Sequence, residues 1–177
     1  MARPDLVKEE WAKTQTEIIR FEQRREYHIP HNLTLYRDFF QGEQPSPKDA
    51  KVELYATVAA TVRRGVAVKR IRVFDVPLSD RQQAEIESAY LTGEEFGLQA
   101  LVLPRPVFTE LVIKRGFSEI DFWAFDRQQF LTVEYDQRGD YRGEVPVATD
   151  FERLMLQQQL LAILQRSIPP KDFLLQL

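Results

Sequence analysis

Arg70 and Arg72 stand two residues apart in the run Val66-Ala67-Val68-Lys69-Arg70-Ile71-Arg72-Val73-Phe74. The run is β-branched enough to predict a strand. Alternation then places Val66, Val68, Arg70, Arg72 and Phe74 on one face, and Ala67, Lys69, Ile71 and Val73 on the other. Two guanidinium groups therefore share one side of a strand that belongs inside a sheet. Guanidinium forks suit phosphate and carboxylate, so one chemistry is an anion or acidic-partner site. The other is pairing with Asp or Glu at the rim of the sheet, the usual state of buried charge. Only Asp75 to Leu78 separate this strand from a helix beginning near Ser79. Asp80 and Glu85 are thus expected beside the strand's C-terminal end, where open α/β sheets bind ligands. The second constellation is Asp121-Phe122-Trp123-Ala124-Phe125-Asp126. As a strand it puts Trp123 and Phe125 on one face and Phe122 and Ala124 on the other. Asp121 and Asp126 bracket it, with carboxylates expected to reach solvent or basic partners. The candidate ligand- or partner-binding residues are Arg70, Arg72, Asp80, Glu85, Asp121, Trp123 and Asp126.

Catalytic constellations fail on inventory. His28 and His31 are the only histidines, and neither stands in an H-x-K or H-E-x-x-H spacing. They flank Pro30 in an apparent loop and read as surface residues. No G-x-S-x-G elbow, Walker A loop or G-x-G-x-x-G fingerprint occurs. The absence of cysteine removes disulfides, thiol catalysis and cysteine-ligated zinc, and fits a reducing cytoplasm. Carboxylates are plentiful, but their spacing matches no calcium loop. No catalytic residue, metal or cofactor is expected. A net charge of −3 gives no global attraction to nucleic acid or anionic membrane. Met1-Ala2-Arg3-Pro4-Asp5 leads into charged residues rather than a signal-peptide core, and no apolar run approaches a membrane span.

The elements that must position these residues are legible in order. At 177 residues the chain reads as one α/β domain, with a helical or extended segment over 1–45 and a C-terminal tail over 166–177. Pro4 to Thr14 predicts a first helix. Glu17 to Tyr27 fits both a strand and a helix, with the strand preferred. Asn32 can cap a short helix carrying Phe39 and Phe40 that Gly42 ends. Ser46-Pro47-Lys48-Asp49 is a helix start, and that helix stops at Gly65, where a residue tolerant of positive φ is needed. Ser79 with Gln82, and Thr149 with Glu152, are capping-box signatures. The first opens a helix to Leu91 and the second a helix to about Gln165. A strand over Leu98–Leu103 is stopped by Pro104 and Pro106, and a short helix over Val107–Lys114 ends at Gly116. Residues 120 to 147 predict antiparallel strands, with turns near Asp126-Arg127-Gln128 and at Asp136–Asp140. Phe173, Leu174, Leu175 and Leu177 form an apolar tail expected to pack on the body.

These residues resemble a bacterial family of unknown function, common in actinobacteria and often encoded beside helix-turn-helix regulators. The likeness rests on Arg64-Gly65-Val66, Val68, Arg70, Arg72-Val73, then Pro77-Leu78-Ser79-Asp80 and Glu85, and on the block from Asp121 to Asp126. After Asp80 this chain has Arg81 and Ala84 where the family has aromatic residues. The order of strand, helix, strand, hairpin and helix also looks like a phospholipase-D-type half-domain. That family's H-x-K is missing here, which implies a non-catalytic derivative.

The expected fold class is therefore α/β: a mixed central sheet with packed helices and an antiparallel C-terminal hairpin region. The expected function is that of a non-enzymatic cytoplasmic regulatory or interaction protein. The resemblance suggests a transcription regulator as its protein partner. The alternative is a degenerate phosphodiesterase-like protein that binds a phosphate-containing ligand, a nucleotide or nucleic acid, at Arg70 and Arg72. A pocket joining these arginines to Asp80, Glu85 and Asp126 would favour the ligand, and a flat apolar surface the partner.

Overall fold

The computed structural model describes residues 5–25, 48–86, 90 and 92–177. The helix expected after Asn32, the start at Ser46-Pro47, and His28 and His31 lie outside the described residues. In chain order the elements are α1 (Leu6–Lys13), β1 (Glu17–Glu22), α2 (Lys48–Arg63), β2 (Ala67–Phe74), α3 (Asp80–Glu85) and α4 (Thr92–Glu94). There follow β3 (Leu98–Pro104), α5 (Arg105–Arg115), β4 (Phe122–Phe125), β5 (Gln129–Tyr135), β6 (Tyr141–Pro146), α6 (Asp150–Arg166) and α7 (Pro170–Leu174). The six strands form one mixed sheet in the order β3-β2-β1-β4-β5-β6. β1, β2 and β3 run parallel, and β4 to β6 continue antiparallel from the other side of β1.

Local chemistry sets most boundaries. Gly65, at φ 86°, ends α2 and donates its N–H to the Val62 carbonyl at 2.9 Å, so β2 follows within two residues. Ser79 and Gln82 form the reciprocal capping box that opens α3, and Thr149 and Glu152 form the one that opens α6. The ambiguous segment after Thr16 is a strand because every residue from Glu17 to Glu22 is buried, as in a central strand covered on both faces. α3 starts where the helix expected to Leu91 starts; its α-helical part is described to Glu85, Ile86 and Tyr90 beyond it are also helical, and residues 87–89 and 91 are not described.

The sheet's two faces differ. On one, Ile19, Phe21, Ile71, Val73, Phe122, Ala124 and Phe130 pack against Phe108 of α5 and Leu156, Leu160 and Ile163 of α6. The other face is divided. Val7 of α1 covers Ile18, Trp123 and Phe125, while Val58 of α2 covers Val68 and Leu98. Phe74, Ala100 and Val102 pack with Ile86, Tyr90 and Phe173. Arginines and carboxylates lie between these apolar groups. The C-terminal tail only partly follows its expectation. Ile168 exchanges hydrogen bonds with Val102 on the β3 edge, at 2.7 and 2.9 Å, and Phe173 is buried. Leu175 and Leu177, however, are exposed.

Ile71 is fully buried at the centre of the apolar face. Ile71→Ala is expected to cost roughly 2–5 kcal/mol, read from the urea midpoint. An unchanged midpoint would contradict the placement of β2.

Candidate functional site: a buried ion cluster and the outer face of α6

The cluster follows from strand register. Arg20 pairs with Arg70 and Glu22 with Arg72 across the parallel β1–β2 ladder, and Arg20 pairs with Trp123 across β1–β4. These side chains therefore share one face. Arg70 Nε donates to Glu22 Oε2 at 2.6 Å. Glu85 Oε1, reaching in from the end of α3, lies 3.3 Å from Arg72 Nε and 3.5 Å from Arg70 Nη2. Arg72 Nη1 donates to the Arg24 carbonyl at 2.7 Å. Arg20 lies 3.8 Å from Glu22 Oε1 and 3.7 Å from Asp121 Oδ2. Asp121 also accepts from the Tyr135 hydroxyl at 2.7 Å and from the Gln23 N–H at 2.9 Å. Aromatic faces complete the surroundings: Arg20 sits 5.1 Å from the Trp123 ring centre and Arg70 4.7 Å from that of Tyr90.

Arg20, Arg70 and Arg72 thus face Glu22, Glu85 and Asp121, all at most 5% exposed. Burial alone would weaken the charge on Arg70, but Glu22, Tyr90 and Glu85 outweigh it and hold the proton more tightly than in free arginine. Burial pushes the Tyr90 hydroxyl well above its usual range. Burial and Asp121 together push up Tyr135. Neither phenol is therefore poised to exchange a proton near neutrality.

Sequence-predicted site residues divide accordingly. Arg70, Arg72, Glu85 and Asp121 come together, and Trp123 is buried beneath Arg20 with its ring edge-on to Trp11 at 6.0 Å. Asp80 is not joined to the arginines among the described residues. Asp80, at the start of α3, is exposed, whereas Glu85 at its end is buried and faces the sheet. Asp126 is also elsewhere. Because β4 runs antiparallel to β1, Asp121 lies beside the C-terminal end of β1 and Asp126 beside its start. Asp126 accepts from the Thr16 hydroxyl at 2.6 Å and from the N–H groups of Gln15, Thr16 and Glu17 at 3.0, 2.7 and 3.1 Å.

Arg20 and Glu22 were missed by the sequence reading. Their signal was a basic and an acidic residue two apart within the apolar run Ile18-Ile19-Arg20-Phe21-Glu22. Asp75 and Arg105 were also missed. Arg105 donates to Asp75 at 3.2 Å and to the Gln23 carbonyl at 2.6 Å, tying the ends of β1 and β2 to the start of α5.

The other face of the molecule carries a different feature. α6 is apolar on more than its buried side: Phe151, Leu154 and Leu161 are 72%, 51% and 46% exposed. A groove of about 420 Å³ runs between Arg115, Phe117, Gln158 and Leu161. A second, of about 440 Å³, lies between Ile120, Val145, Val147 and Phe151, and Met155 lines both. Among the described residues no group of three or more His, Asp or Glu could hold a metal ion, and no helix is long and apolar enough to cross a membrane.

Asp126 yields a pH prediction. Burial raises its pKa, but the Thr16 hydroxyl and the three backbone N–H groups outweigh burial and hold it at about 2, below the usual 3.8. A depressed carboxylate stabilises the fold above its unfolded pKa, and that contribution is lost as pH falls through the folded value. Asp126→Asn tolerates the left-handed backbone there, φ 51°, and keeps one acceptor but no charge. It should be less stable than the parent at neutral pH, and the gap in thermal midpoint should close as pH falls from 3.8 towards 2. A gap independent of pH would contradict the role given to the charge.

With this geometry in place, comparisons with known proteins are informative at the level of family. A family model described as a domain of unknown function (DUF6879) matches residues 5–175, so the chain belongs to that family. No curated protein matches the sequence. Among solved structures the chain is similar to a phospholipase D family member, Nuc, from Salmonella typhimurium. That match has a TM-score of 0.49 and 10% identity, and covers 93% of this chain and 88% of that one.

Proposed function

We propose that this DUF6879 member is a non-catalytic interaction protein of the cytoplasm whose docking surface is the outer face of α6. The observation that carries the reading is the row Phe151, Leu154 and Leu161, each about half or more exposed on a helix flanked by two apolar grooves. Single exposed apolar residues are ordinary. Three such residues on one side of a helix, beside two grooves, are the kind of surface that a protein partner covers. A transcription regulator is the partner that the family resemblance suggests.

A second reading has one observation in its favour. The ion cluster lies towards the C-terminal ends of β1 and β2, the edge where open α/β sheets bind ligands. A nucleotide or nucleic-acid phosphate at Arg70 and Arg72 would make the chain a degenerate phosphodiesterase-like protein. That phosphate would have to displace Glu22 and Glu85 from the two guanidinium groups. The carboxylates already neutralise the arginines, which favours the docking reading.

The two readings separate in one affinity purification from the native host, scoring retained proteins and nucleotides. Leu161→Lys should lose the bound protein while its thermal transition stays within a degree or two of the parent's, as surface changes usually do. Arg72→Met, handled below its lowered melting temperature, should keep that protein. Loss of a nucleotide from Arg72→Met, with Leu161→Lys unaffected, would reverse the assignment.

A further inference from the structure

Phe151, Leu154, Gln158, Leu161 and Gln165 recur at three- and four-residue spacing and so line one side of α6. We propose that the occupant of this side is a second copy of this chain, its α6 packed antiparallel against the first about a two-fold axis near Gln158. The proposal rests on the reading of α6 as the docking surface and names its partner.

Three features make the helix complementary to itself. Leu154 lies four residues before Gln158 and Leu161 three after, so antiparallel pairing sets Leu154 of each copy against Leu161 of the other. The ends carry opposite charge. Asp150, in the first turn, has its side chain 95% exposed and 2.6 Å from Arg153, and Arg166, in the last turn, has its side chain 50% exposed and 3.8 Å from Glu110 of α5, so each charge keeps an exposed side for a second partner. Antiparallel pairing brings each acidic end towards the other copy's basic end and opposes the two macrodipoles. A parallel partner gains neither. Finally, Phe151 of the second copy arrives at the height of Gln165, where the groove lined by Arg115, Phe117 and Leu161 opens. An aromatic anchor in a groove at each end of a two-fold contact is a self-complementary arrangement that closes at two copies.

The test uses the full chain, 20.8 kDa, in sedimentation equilibrium. The expected result is twice the chain mass, falling to the single-chain mass in Leu161→Lys, which keeps one cooperative thermal transition, lowered only by the loss of association. The chain has no cysteine, so Gln158→Cys introduces its only thiol. Under mild oxidation it should link into a disulfide pair, whereas Ile113→Cys, at a 77% exposed position on α5, should remain single. A single-chain mass at every concentration overturns the proposal. So does a pair that survives Leu161→Lys, with Gln158→Cys linking no faster than Ile113→Cys. If the chain is single but Leu161→Lys still releases a different protein, the second copy is overturned and the docking surface stands. If Leu161→Lys changes neither mass nor retention, both fail.

Discussion

Three guanidinium groups and three carboxylates are buried on one face of a sheet whose opposite face is apolar apart from the Glu17–Lys69 pair at the start of β1 and β2. Burying an ion without a partner costs several kcal/mol, so each of these charges is tolerated only where an opposite one is held beside it. That requirement ties together elements far apart in the chain. β1 supplies Arg20 and Glu22, β2 supplies Arg70 and Arg72, Glu85 stands at the end of α3, and Asp121 enters β4. A one-residue slip of β1 against β2 would turn Arg20 and Glu22 into the packing of Phe108 and Leu160. The cluster therefore fixes register as well as neutralising itself.

The same constraint separates the molecule's two sides. The polar face is closed by ion pairing, cation–π contacts and the packing of α1, α2, α3 and α7. The apolar face is closed by α5 and α6, and α6 has more apolar surface than the sheet can cover. Its inner side is committed to Leu156, Leu160 and Ile163, so Phe151, Leu154 and Leu161 are left to solvent or to a partner. Surplus apolar surface lies on the side of the sheet away from the arginines, and the docking proposal follows from that division.

The parts legible in the sequence were the local ones. Gly65, the capping boxes at Ser79 and Thr149, and the alternation of Arg70 and Arg72 with Ile71 and Val73 each depend on neighbours a few residues away. β1 was harder, because Ile18, Phe21 and Arg25 also fit a helical spacing and only burial on both faces decides for a strand. The cluster's membership depends on pairing across the chain. Arg20 meets Asp121 about a hundred residues later, which no local pattern encodes. Asp80 and Glu85 are both close to the arginines in sequence, yet Asp80 is exposed and only Glu85 reaches Arg70 and Arg72. Asp126 was grouped with Asp121 because they bracket one block, and the antiparallel run of β4 sends them to opposite ends of β1. On α6, apolar residues occupy both sides, so the spacing alone did not divide the buried row from the exposed one.

The central claim is that the arginines are satisfied by the chain's own carboxylates, and a double-mutant cycle on Arg72 and Glu85 tests it most directly. Arg72→Met and Glu85→Leu should each lower the unfolding free energy by about 3–5 kcal/mol, because each breaks a buried ion pair and leaves Glu85 with Arg70 alone, or Arg72 without the Glu85 carboxylate beside it. The double variant should lose much less than the sum, since Arg70 keeps Glu22. Additive losses, or an Arg72→Met variant as stable as the parent, would contradict a closed cluster and point to an anion from outside the chain.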